Sequence, residues 1–277
     1  MSQALLLGLL GAAALASKRS AAPATSSLWA NLPDKLHGDK AQQLLMAAVL
    51  ATGVNDWHIV SEDRGGTTVT VLVSNAVKVD GVRVSNVLYS NAQRLADRIG
   101  LLLPTTRIAD MAHRAAVVRF GAEHAYVPLI PTITAGCALK NGQPTVCRGG
   151  SRDATVGLSA VVDKLVAGRT GLADNEGKWF VIDRALFVPG AGSGIYGWWR
   201  SDGSLVQSKV TAHPELGFSD YSQVLRFVGP TTVIQPAGQP PFEMPTGDVY
   251  TSSTWAHLLV KGGPLPGYRH PGVMDAA

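Results

Sequence analysis

A general base, a carboxylate to orient it and a hydroxyl nucleophile are what serine-type acyl transfer needs. His213, Asp220 and Ser222 supply those three types close together in the chain. On a β-strand Asp220 and Ser222 project to one face while Tyr221 and Gln223 take the other. His213 precedes Pro214 in a connection able to fold back over that face. The same Asp and Ser equally suit bonding of backbone groups at a strand start, with no chemistry attached. A thiol is the alternative nucleophile: Cys147 stands shortly before a helix expected from Ser151, and a helix dipole depresses a thiol pKa. Yet only two cysteines occur, and Asn141-Gly142, a strong hairpin signal, lies between Cys137 and Cys147. A hairpin there brings the two within disulfide reach, which removes the nucleophile.

Tyr196, Trp198, Trp199 and Tyr221 offer aromatic faces of the kind that line a saccharide or peptide groove. Trp198 and Trp199 point to opposite sides of one strand, so at least one belongs to the core. The glycine-rich loop at residues 190–194 runs into a strand and not a helix N-terminus, so it makes no phosphate cradle. The other histidines show no metal-ligand spacing, and His113 on a helix is expected to meet solvent or a carbonyl. Neither metal nor cofactor is expected.

Tyr196-Gly197-Trp198-Trp199, Asp202-Gly203, Gln207, His213 and the run from Asp220 through Tyr221, Ser222 and Gln223 to Arg226 follow one another in a recognisable order. The series resembles a family of mostly uncharacterised bacterial and phage proteins with a Tyr-Gly-Trp-His stretch, an Asp-Gly turn, a Gln, a His and an Asp-Tyr-Ser-His-Gly-x-Arg run. An upstream element, Gln93 to Asp97 through Leu103-Pro104-Thr105 and Asp110, resembles the same family, and the two together span about half of the chain. Trp199 and Gln223 stand where that pattern has histidines, so the resemblance implies a related fold more than a shared reaction. The order Cys147, His213, then Asp220 or Gln223 is separately similar to the cysteine peptidases and amidases that cut cell-wall peptides.

These side chains need elements to carry them. Helices are expected from residue 39 to Gly53, over residues 91–99 with Ser90 as cap, from Thr105 to Ala116, and from Ser151 to Gly168. Strands are expected at residues 57–60 and 67–73, in a hairpin turned at Asp80-Gly81, and through residues 179–188, 195–199, 205–210, 221–228 and 232–235. Residues 127–134, with Pro128 and Pro131, read as an extended edge. The pattern predicts an α+β fold: a mainly antiparallel sheet with three or four helices packed on one side. Residues 28–277 form the domain, closed by a Pro- and Gly-rich tail from residue 236 that wraps its surface around one strand or short helix near Trp255.

Residues 1–27 read as an export or anchor segment with a linker. The uncharged run 4–16 is too short to span a bilayer but fits a signal-peptide core ending in Ala14-Leu15-Ala16, and it equally suits an uncleaved anchor in membrane contact. The hydrophobic share of 46% rules out disorder. The 16% charged share, against about 25% usual for soluble domains, suits an exported, envelope or virion protein. The net charge of +4 is scattered, so nucleic acid is not implied. Two function classes follow. The first is a non-enzymatic virion or envelope assembly protein with other protein subunits as partners, favoured because histidines are missing where chemistry would need them. The second is a cell-envelope hydrolase or amidase acting on cell-wall polymer through His213 with Ser222 or Cys147.

Overall fold

A computed structural model describes residues 27–141, 143–144, 146–187, 193–208, 210–213, 219–266 and 268. The apolar run 4–16, the linker after it, most of the glycine loop at 190–194 and the last part of the tail lie outside the described residues. The side chain of His213 does too.

The fold is α+β. One antiparallel sheet has the order β1 (Trp57–Asp63), β2 (Thr67–Ser74), β12 (Val228–Pro236), β13 (Phe242–Pro245). β2 alternates β-branched residues, and its Val69, Val71 and Val73 are fully buried against the core. Its partner β12 arrives from far along the chain, Ile234 opposite Val69. A second sheet runs β10 (Thr211–His213), β8 (Ser193–Trp199), β7 (Lys178–Phe180), β11 (Gln223–Val224), with β9 (Leu205–Gln207) also on β8. Its β11–β7 pair is parallel. Two separate hairpins complete the β structure: β3 (Lys78–Val79) with β4 (Val82–Arg83), and β5 (Leu139–Lys140) with β6 (Gln143–Pro144). Asp80 and Gly81 both take positive φ, 49° and 79°, as a two-residue primed turn requires.

Four longer helices pack around the sheets: α2 (Asp39–Thr52), α3 (Tyr89–Arg98), α4 (Thr106–Ala115) and α7 (Arg152–Val166). Short ones are α1 (Leu28–Asn31), α5 (Ala122–Tyr126), α6 (Ile130–Thr134), α8 (Thr246–Thr251) and α9 (Ala256–Leu259). Thr105 caps α4 through Ile108 N at 3.2 Å, and Ser151 caps α7 through Ala154 N at 3.1 Å. Ser151→Ala is therefore expected to lower stability by about 1 kcal/mol, read as a shifted midpoint with unchanged slope in urea.

Several local expectations are overturned. Ser90 does not cap α3; the free Leu88 N–H at its start is taken instead by Gln42 Oε1 from α2, at 2.9 Å. Residues 127–134 are helical, a 3₁₀ turn at Val127–Leu129 followed by α6. Pro128 and Pro131 are the second residues of these turns, still within the first turn where an N–H has no partner inside its own element. In the expected strand 221–228 only Gln223–Val224 pairs with β7. The tail region up to residue 266 does more than wrap the surface, since Val249, Tyr250, Leu258 and Leu259 are buried in the core. One large cluster draws on residues from Trp29 to Leu265, with Trp179, Phe180 and Phe227 inside it. A second gathers Leu158 and Val162 of α7, Ala122 and Ala125 of α5, Trp198 and Tyr221.

Candidate functional site

Asp220 and Ser222 do not share a strand face, because residues 221–222 form a turn before β11. Asp220 Oδ1 accepts from Ser222 N at 2.8 Å and also from the Ser222 hydroxyl. An aspartate bonding the backbone two residues on is the ordinary way such a turn is made. Ser222 is only 1% exposed, so its hydroxyl is enclosed as well as engaged. The other oxygen of Asp220 lies 3.9 Å from Lys178 Nζ. His213 pairs through its backbone with Ser193 on β8.

Cys147 is bonded to Cys137 across the β5–β6 hairpin, with Cα atoms 5.7 Å apart. Beyond it the chain crosses the floor of a cleft of about 730 Å³. Asp34, Lys35, His37, Arg148 and Asp220 bring charge or an imidazole to its walls. Backbone bonds tie the loop on three sides: Leu36 N to Gly150 O at 3.1 Å, Tyr221 N to Gly149 O at 2.8 Å, and Arg152 N to Asp34 O at 2.7 Å. His37 Nε2 stands 3.2 Å from Asn86 Oδ1. Of the predicted triad, Asp220 lines this cleft and the buried Ser222 does not, and the cleft's cysteine is in the disulfide.

The four aromatic residues are all buried. Trp198 packs edge-on to Tyr126, with ring centres 5.5 Å apart. Tyr221 joins it in the second cluster. Trp199 faces the main cluster, its ring covered by His113 at 4.2 Å and nearly parallel. Trp198 holds a φ of 69°, unusual for a bulky residue. Asn175 braces it: Trp198 Nε1 donates to Asn175 O at 2.9 Å, and Trp199 N donates to Asn175 Oδ1 at 2.6 Å.

The stretches around Asp110 and Tyr196 meet here. Tyr196 OH donates to Asp110 Oδ1 at 2.8 Å, and Lys261 Nζ reaches Asp110 Oδ2 at 2.6 Å. Burial, then the bond to Asp110, pushes the Tyr196 phenol well above its ordinary pKa, so it stays protonated. One helical turn on, His113 does not meet a carbonyl: its Nδ1 is 2.7 Å from the buried carboxylate of Asp174. Gln223 is fully buried and accepts from Asp220 N at 3.3 Å.

Sequence reading missed a buried ionic network. Glu176 accepts from Arg83 Nε at 2.8 Å, from Arg226 Nη2 at 2.5 Å and from Ala76 N at 2.7 Å. Arg226 lies against the face of Trp179, 4.4 Å from its ring centre. Burial pulls the Arg226 pKa down, and the Glu176 charge opposes this. Arg83 also donates to Asp163 at 2.6 Å. Burial pushes the Asp163 pKa up, but bonds from Lys78 and Arg83 bring it below the usual carboxylate range. The available signal was Arg226 itself, a charge inside the apolar run Val224-Leu225-Arg226-Phe227-Val228. Among the described residues no group of three or more His, Cys, Asp or Glu is arranged to hold a metal ion, and no helix is long and apolar enough to cross a membrane. No family model, curated protein or solved structure matches the chain.

Proposed function

We propose that this chain is a non-enzymatic structural or assembly protein of a cell envelope or virion, working through contacts with other protein subunits. One observation carries the reading: both side chains eligible as nucleophiles are already committed. The Ser222 hydroxyl is enclosed and held by Asp220, and the Cys147 sulfur is bonded to Cys137. A hydroxyl enclosed away from any substrate and a sulfur in a disulfide perform no acyl transfer. Docking is supported by Val127, Ile130, Leu139 and Val146, four large apolar side chains left exposed within one stretch of chain around the bonded hairpin. Export belongs to the same proposal, since disulfides persist in oxidising compartments.

The test pairs hydrolysis with stability. Purified protein incubated with cell-wall peptidoglycan is expected to release no soluble fragments, before or after His213→Ala. Ser222→Ala is expected to lower the unfolding free energy by about 1 kcal/mol, the scale of one hydrogen bond. Fragment release that disappears in His213→Ala would overturn the assembly reading in favour of a cell-wall hydrolase.

A further inference from the structure

A cavity of about 430 Å³ opens between the residues just before β1, the β3–β4 hairpin and the loop after α7. It lies apart from the cleft at Asp220, with no lining residue in common. Its lining carries Lys78, Arg83 and Arg169 against Asp56 and Glu176, three cations to two carboxylates.

The hydrogen bonding is more lopsided than the charge. Both carboxylates already have their donors. Glu176 has the three described above, and Asp56 meets His58 Nε2 at 2.9 Å and Asn75 Nδ2 at 2.8 Å. Asp163, just behind the wall, takes Lys78 and Arg83 at 2.8 and 2.6 Å. The donors are not used up. Arg83 directs Nε and Nη1 at Glu176, Asp163 and Ser159 O, so its Nη2 has no bond to any described residue. Lys78 spends one of its three N–H groups on Asp163. Arg169 uses its two terminal nitrogens on Arg119 O and Leu165 O, leaving Nε without a described acceptor. A guanidinium and an ammonium donate only, so what these N–H groups can hold in the cavity is an acceptor.

We propose that this cavity binds a small oxyanion, a carboxylate or phosphate group, with Arg83 Nη2 at its floor and Lys78 and Arg169 at its rim. Arg83 is held rigid by Glu176 and Asp163, so its free edge is preorganised and loses little side-chain freedom on binding. The mixed charge of the lining leaves a single net positive charge to offset, which suits one anionic group better than a polyanion. The volume limits the ligand to a small molecule.

Calorimetric titration of the full chain with sodium phosphate and, separately, sodium succinate, at constant ionic strength and against a sodium chloride control, tests this. Saturable binding of one equivalent is expected for at least one of the two, and which one separates phosphate from carboxylate recognition. Lys78→Gln and Arg169→Gln are each expected to weaken it about tenfold, the scale of one charge-assisted hydrogen bond. Thermal melts run alongside identify any variant that fails to fold. Lys78 is half exposed, so Lys78→Gln decides alone if Arg169→Gln unfolds. Absence of binding by either anion, an equal response to chloride, or undiminished binding in a folded Lys78→Gln would overturn the proposal.

Discussion

Replacing Glu176 by glutamine is expected to lower the unfolding free energy by about 3–5 kcal/mol, the range found when one partner of a buried ion pair is removed. Glu176 is 2% exposed and Arg226 wholly buried, so water cannot replace the lost carboxylate at the Arg226 guanidinium. Arg226 would keep Ala173 O, at 2.8 Å, and the face of Trp179. It would lose its only carboxylate partner among the described residues, while Arg83 would retain Asp163. The damage should therefore run mainly through Arg226. Adding Arg226→Met to Glu176→Gln is expected to recover part of the loss, because the unpaired charge leaves with the side chain. Urea unfolding of the two single variants and the double variant closes that cycle. A Glu176→Gln loss below about 1 kcal/mol, the usual size for exposed pairs, would show that the charges are not buried together in solution.

Replacing both Cys137 and Cys147 by alanine is expected to destabilise the fold by about 2–3 kcal/mol, from the loop-closure entropy the crosslink removes from the unfolded chain. The sequence separation is 10. Part of the effect should also be local. The residues just past Cys147 carry the backbone bonds that seat Gly149 and Gly150 against Tyr221 and Leu36, so amide exchange in the loop at 148–151 is expected to rise more than exchange in β2. Alkylation of unreduced protein supplies the covalent check. Two labelled thiols would remove the crosslink and restore Cys147 as a nucleophile, whereas an unchanged unfolding midpoint after the double replacement would make the bond incidental to stability.

Much of the local structure was legible because its causes lie within a few residues. Asp80-Gly81 takes the positive φ values its hairpin needs, Gly53 and Gly100 end α2 and α3 with φ of 72° and 68°, and Thr105 and Ser151 cap as their types suggest. The failures occur where local rules admit two answers. Proline blocks a strand interior but also opens a helical turn, and at Val127–Leu129 and α6 the second role prevails. Asp220 and Ser222 alternate correctly for a strand, yet the Ser222 backbone N–H donating to the aspartate makes the turn instead.

The sequence by itself determined the α+β class, the bonded hairpin around Asn141, the four long helices and the presence of core among the paired tryptophans. Each rests on periodicity, on turn chemistry or on the reach of two nearby cysteines. Only the tertiary structure decided which polar groups meet. Arg83 and Glu176 are 93 residues apart, His113 and Asp174 are 61 apart, and Tyr196 reaches back 86 residues to Asp110. Such pairs carry no spacing signal. A buried charge is tolerated only where the packed chain delivers an opposite one to within hydrogen-bonding distance, and that delivery depends on how both sheets and α7 come together.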